Sequence, residues 1–93
     1  MNLHDTITAS DDVVSREVNG EAVLLDLASG LYFGLNVVGS AIWQVVGDAP
    51  AKVSALCDAV EAEFDAPRDV IEADVEELLG ELVAAGLVTR GPA

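Results

Sequence analysis

Few side chains in this sequence could do covalent chemistry, and none is placed to do it with a partner. Cys57 is the single thiol, and a nucleophile there would need a base; the single histidine, His4, falls in a polar N-terminal stretch. No Ser-His-Asp set, glycine-rich phosphate loop or cysteine pair is present, and the many carboxylates recur at helix-surface spacing. His4 has no cluster of Cys, His or carboxylates at ligand spacing, so it reads as a solvated residue rather than a metal ligand. Cys57 reads as a small packing residue. The sequence therefore predicts no catalytic residue, no metal site and no cofactor. What is left is recognition chemistry, and its ingredients are charge and apolar surface.

Seventeen acidic residues against 4 basic ones give a net charge of −13. Such a surface repels a polyphosphate, which argues against nucleic acid as a partner, and attracts a basic peptide or protein surface. Solubility alone would also account for the acidity. The apolar counterpart is the segment from about Pro67 to Ala85. At 100° per residue, Ile71, Val75, Leu78, Leu79, Leu82, Val83 and Ala85 spread across roughly 160°, wider than the stripe of about 100° that packing one helix face needs. Asp74 and Glu81 border this arc on one side, Glu72 and Glu76 on the other. Either it is an ordinary amphipathic helix with a solvated acidic back, or part of the arc is left uncovered as the wall of a groove.

The elements that would position this helix begin with a meander. Asn19-Gly20 tolerates the positive φ angles of a two-residue type I′ turn and predicts a hairpin in which Val18 faces Glu21, Arg16 faces Val23 and Val14 faces Leu25. A three-residue loop at 28 to 30 would set Leu27 against Leu31 and Leu25 against Phe33, giving a three-stranded sheet. On that reading Val14, Val18, Val23, Leu25, Leu27, Leu31, Phe33 and Leu35 form the buried side, with Ser15, Glu17, Asp26 and Tyr32 opposite. Asn36 is a favoured N-cap for a helix over 36 to 46, so strand passes into helix without a linker. Gly39 weakens that helix unless a backbone approaches closely there. Asp48 and Pro50 suggest the start of a second helix over 51 to 64, with Val53, Leu56, Val60 and Phe64 as its core face. Gly86 ends the third helix.

Ninety-three residues make one domain with a modest core, and 52% hydrophobic content excludes a disordered chain. Residues 1 to 12 read as a flexible N-terminal tail, 13 to 89 as the domain and 90 to 93 as a C-terminal tail. No signal peptide and no apolar run near the roughly 20 residues of a membrane span are evident, so the expected location is cytoplasmic, with no membrane partner. The predicted fold is α+β and winged-helix-like: a three-stranded antiparallel sheet followed by three helices.

Within this frame, Gly30-Leu31-Tyr32-Phe33-Gly34-Leu35-Asn36-Val37-Val38-Gly39-Ser40-Ala41-Ile42-Trp43 resembles the pattern G-x-Y-x-x-L-N-x-x-G-x-x-I-W of PqqD-like proteins, and Asp74-Val75 with Leu78-Leu79 and Leu82 is similar to that family's last helix. The likeness covers about residues 13 to 89. It implies a noncatalytic RiPP recognition element, which binds the leader of a ribosomally made precursor peptide as an added strand beside the third strand and against the third helix. Carried onto this sequence, the strand edge is Leu31, Tyr32, Phe33, Gly34 and Leu35, and the groove wall Val75, Leu78, Leu79 and Leu82. Glu72, Asp74 and Glu76 would pair with basic residues of the leader. The G-L-Y-F-G-L-N-x-x-G form most resembles the stand-alone recognition protein of lasso-peptide pathways, whose partner is a separate transglutaminase-like cysteine peptidase. No peptidase domain follows Ala93, so catalysis is expected on another chain. A chaperone serving a radical-SAM enzyme in quinone-cofactor synthesis is the alternative implied by the same resemblance, and a winged-helix nucleic-acid binder the one suggested by element order.

Overall fold

Asn19 and Gly20 adopt φ of 54° and 83°, so the first turn takes the positive φ values expected of it. It joins β2 (Val13–Val18) to β3 (Glu21–Asp26), and the three cross-strand pairs expected from the two-residue loop are all present. A computed structural model describes residues 2–92; Met1 and Ala93, assigned to the two expected tails, lie outside the described residues.

The second turn differs from expectation by one residue. Asp26 nucleates it: its carboxylate accepts from the Ala28 N–H at 3.1 Å and the Ser29 hydroxyl at 2.9 Å, and its carbonyl accepts from the Gly30 N–H at 2.7 Å. Gly30 closes the loop at φ 75°. The loop is therefore Leu27 to Gly30, and β4 (Leu31–Gly34) pairs Leu31 with Asp26, Tyr32 with Leu25 and Phe33 with Leu24. A one-residue slip reverses which side chains share a face. The buried side is that of Leu24, which is fully buried, with Phe33 and Ala22 packed beside it. Val14 and Val18 are exposed, with Val23 and Leu25 turned outward beside them in alternation, and Leu27 in the turn and Leu31 at the start of β4 are exposed as well, contrary to the expected buried set.

Asn36 caps α1 (Val37–Val46), its Oδ1 accepting from the Gly39 N–H at 2.9 Å. Buried Ser40 fixes this helix to the sheet: its hydroxyl accepts from the Ala22 N–H at 2.7 Å and lies 3.4 Å from the Leu35 carbonyl it donates to. Gly39 is crowded by side chains rather than by backbone. A Cβ there would lie 3.1 Å from the Leu35 Cβ and 3.2 Å from the Leu78 Cδ2.

The expected tails are mostly structured. Thr6–Ala9 forms β1, central in a second antiparallel sheet between β5 (Ala51–Lys52) and β6 (Val88–Gly91). Its apolar anchor is Ile7, fully buried, which a polar-looking segment conceals in sequence. Because β5 takes Ala51 and Lys52, α2 runs only from Val53 to Glu63 with Lys52 at its N-cap, and Asp48 and Pro50 lie before the strand. α3 spans Arg68–Ala84, followed by Gly86 at φ 76°. The core joins both sheets to the helices, Ile7 and Val88 from one and Leu24 from the other meeting Ile42, Trp43, Leu56, Val75 and Leu79. The fold is α+β and winged-helix-like, with three helices and two three-stranded antiparallel sheets among the described residues.

Candidate peptide-binding site

In the sheet order β2-β3-β4, β4 is an edge. The Leu35 N–H donates to the Ala22 carbonyl at 2.9 Å, so by antiparallel alternation Leu35, Phe33 and Leu31 point their backbone groups at β3. Tyr32 and Gly34 then direct theirs to the open side. Beside this edge lies a groove formed with α3. One cavity of about 300 Å³ is lined by Phe33, Gly34, Leu35, Leu82, Ala85 and Leu87, among others, and an adjoining one of about 310 Å³ by Val38, Asp74 and Glu77; Asn36, Leu78 and Glu81 line both. The result is an extended-chain edge above an apolar floor with three carboxylates along one rim.

The predicted site residues divide into four groups. Phe33, Gly34, Leu35, Asp74, Leu78 and Leu82 come together in the groove. Val75 and Leu79 do not: both are fully buried in the core, because they lie on the side of α3 that meets the rest of the molecule. Glu72 and Glu76 are engaged elsewhere. Glu72 Oε2 accepts from Arg68 Nε at 3.0 Å, within a cluster where Arg68 Nη1 also reaches Asp58 at 2.8 Å and Glu61 at 3.4 Å. Glu76 Oε1 accepts from Arg90 Nη1, and Arg90 Nε donates to Asp5 at 2.8 Å. Hydrogen bonds donated to these carboxylates raise the pKa of both guanidinium groups further above their ordinary range, so both stay charged. Leu31 and Tyr32 belong to the edge strand and are exposed outside the cavities.

Glu77 and Glu81 were not in the predicted set, yet they line the groove. Their spacing from Leu78 and Asp74 carried the signal: 74, 77, 78 and 81 are i, i+3, i+4 and i+7 on one helical face. A larger cleft, about 670 Å³, lies against the β2 edge and α1 and shares no lining residue with the groove. Its lining includes Ser10, Asp11, Arg16, Gln44 and Asp48, mixed polar groups without a buried convergent centre.

Cys57 is fully buried and His4 exposed, so no accessible thiol-imidazole pair exists between them. Burial pushes the Cys57 thiol above its ordinary range, only partly offset by the nearby Arg68 charge. The native protein is expected to resist alkylation by iodoacetamide at pH 8 and to react fully once unfolded; rapid native labelling would contradict this packing. Because the folded pKa is raised, the neutral thiol's contribution to stability is complete below the unfolded value of about 8.5 and is lost as pH climbs through the folded one.

Among the described residues, no group of three or more His, Cys, Asp or Glu side chains is placed to hold a metal ion, and no helix is long and apolar enough to cross a membrane. The comparisons with known proteins agree with the geometry of a recognition domain. A solved structure described as "TbiB1 in Complex with the TbiA(beta) Leader Peptide" is similar to this chain at 37% identity and a TM-score of 0.80, covering 87% of this chain and 93% of that one. A second, described as "Lasso peptide synthetase B1 complexed with the leader peptide", shares the fold at 23% identity and a TM-score of 0.75, covering 89% and 96%. No protein of curated function matches the chain. Residues 21–88, which run from β3 through the groove and α3 into β6, match the family described as Coenzyme PQQ synthesis protein D (PqqD). An edge strand, a capped helix and an acid-rimmed α3 in this order, within so long a match, establish that the chain belongs to the PqqD family.

Proposed function

We infer that this protein is a noncatalytic adaptor that binds the leader of a ribosomally synthesised precursor peptide and delivers it to a separate processing enzyme. The observation that carries the reading is the open β4 edge beside the apolar, acid-rimmed groove of α3. A leader segment would add as a fourth strand, bonding to the backbone groups of Tyr32 and Gly34, and place alternate side chains over Phe33, Leu78 and Leu82. Asp74, Glu77 and Glu81 favour a leader with Lys or Arg near that strand. The similarity to a leader-bound TbiB1 supports this use of the groove. The favoured enzyme is a transglutaminase-like cysteine peptidase of a lasso-peptide pathway, and the implied compartment is the cytoplasm. A chaperone for a radical-SAM enzyme of quinone-cofactor synthesis is the second reading, favoured by the family's description.

Fluorescence anisotropy with the labelled leader of the precursor encoded beside this protein tests the reading. A Kd of about 1 μM or tighter is expected. The Kd should rise about fivefold between roughly 0.05 and 0.5 M NaCl, because the rim carboxylates are solvent-exposed and screened. Glu81→Gln should flatten that dependence. Absence of saturable binding would end the adaptor reading, and binding indifferent to salt would remove the role given to the rim.

A further inference from the structure

The outer face of the β2-β3-β4 sheet is not used by the groove, and its composition departs from that of the rest of the surface. Leu24 turns inward, so Val23 and Leu25 turn outward. The register sets Val14, Leu25 and Tyr32 in one cross-strand row and Arg16, Val23 and Gly34 in the next. Val14, Val18 and Tyr32 are 49%, 48% and 71% exposed. Contiguous exposed apolar surface of this kind marks an interaction site more often than a solvated face.

Charge identifies the kind of occupant. Most acidic residues crowd the segment from Asp58 to Glu81, whereas the outward positions of these three strands carry one acid, Glu21, and one base, Arg16. Arg68 and Arg90 are held in ion pairs, but Arg16 is exposed and makes none among the described residues. A second copy of the chain would bring a further −13 charge against the first, which disfavours self-association. The face is also continuous with the β4 edge. A strand added there would extend the Val14, Leu25, Tyr32 row with its own outward side chain.

We propose that this outer face docks the processing enzyme, through an enzyme surface that is apolar with a carboxylate opposite Arg16. The proposal rests on the adaptor reading above, and it places the enzyme beside the added substrate strand, where effective concentration does the work.

Val14→Asp and Arg16→Glu test it, with two purified probes: a transglutaminase-like cysteine peptidase of the proposed pathway and the fluorescein-labelled leader. Both variants should keep leader affinity within about twofold, which also reports that they fold, and lose peptidase co-elution on size exclusion. Leader cleavage at limiting adaptor should fall at least about tenfold, as expected for residues central to an interface. Unchanged co-elution and cleavage in both variants would overturn the proposal. So would a wild-type dimer, seen by light scattering, that Val14→Asp splits, since the face would then belong to a second copy. Failure of the wild-type chain to bind leader would instead remove the adaptor reading, and peptidase co-elution without leader would still decide whether this face docks it.

Discussion

Replacing Leu78 with aspartate is expected to weaken leader binding about 100-fold while leaving the protein folded. Leu78 lines both cavities of the groove and is only partly buried, so in the free protein a carboxylate at that position can still reach water. Once a peptide strand covers it, the apolar contact is lost and the charge is desolvated. Together these cost about 3 kcal/mol, which corresponds to about two decades in Kd. Val75→Asp and Leu79→Asp would also abolish binding, for a different reason. Both side chains have no exposed surface, and an unpaired charge there removes much of the roughly 5–15 kcal/mol that holds a domain together. Circular dichroism separates the cases: Leu78→Asp should keep a cooperative melt and the other two should not. A Leu78→Asp protein that binds leader like the wild type would show that the groove is not the binding surface.

The contrast shows where the sequence was informative. The arc on α3 was legible from periodicity, but periodicity does not say which part of an arc faces neighbouring elements and which faces a groove. That division depends on how α1 and β4 lie against α3, a tertiary fact set by contacts such as the crowding of Leu35 and Leu78 around Gly39. Similarly, the four carboxylates bordering that arc, Glu72, Asp74, Glu76 and Glu81, look equivalent in sequence. Two are taken by Arg68 and Arg90, and Arg90 lies 14 residues beyond its partner Glu76, so no local pattern announces the pair.

The first hairpin was legible because Asn19-Gly20 specifies its own geometry. The second was not, because the Asp26 carboxylate starts its turn one residue earlier than glycine placement suggests, and the slip turns β4 over relative to β3, so that Phe33 shares a face with Leu24 and not with Leu25. Thr6–Ala9 was read as a tail because its strand pairs only with remote segments, Thr6 facing Lys52 on one side and Gly91 on the other. Short strands closed over such separations leave little trace in a window of sequence.

Those remote pairings make Arg90→Ala the second large effect, on stability rather than on binding. The Arg90 guanidinium donates to Asp5, to Glu76 on α3 and to the Asn2 carbonyl, the last at 3.2 Å, so one side chain on β6 holds the N-terminal segment and α3 together. Glu76 Oε2 is buried with no hydrogen-bond partner among the described residues, so its carboxylate depends on the Arg90 charge. Alanine would leave two acids facing each other without the cation between them. Breaking a fully buried pair costs about 3–5 kcal/mol; these side chains retain 18–27% of their exposure, and solvent screening lowers the expected loss to about 2–3 kcal/mol. In a domain of this size that is a fall in Tm of about 10–20 °C. Lysine should recover only part of it, since one ammonium lacks the fork that serves several acceptors at once. Arg68→Ala, which removes a more exposed and solvent-screened cluster, should shift the melt much less than Arg90→Ala. Thermal melts at neutral pH would rank the three variants, and an Arg90→Ala protein melting with the wild type would mean that the two chain ends are held by strand pairing alone. At a temperature where the variant is folded, its leader affinity should stay within about threefold of wild type, because the clasp lies outside the groove and α3 remains packed through Val75 and Leu79.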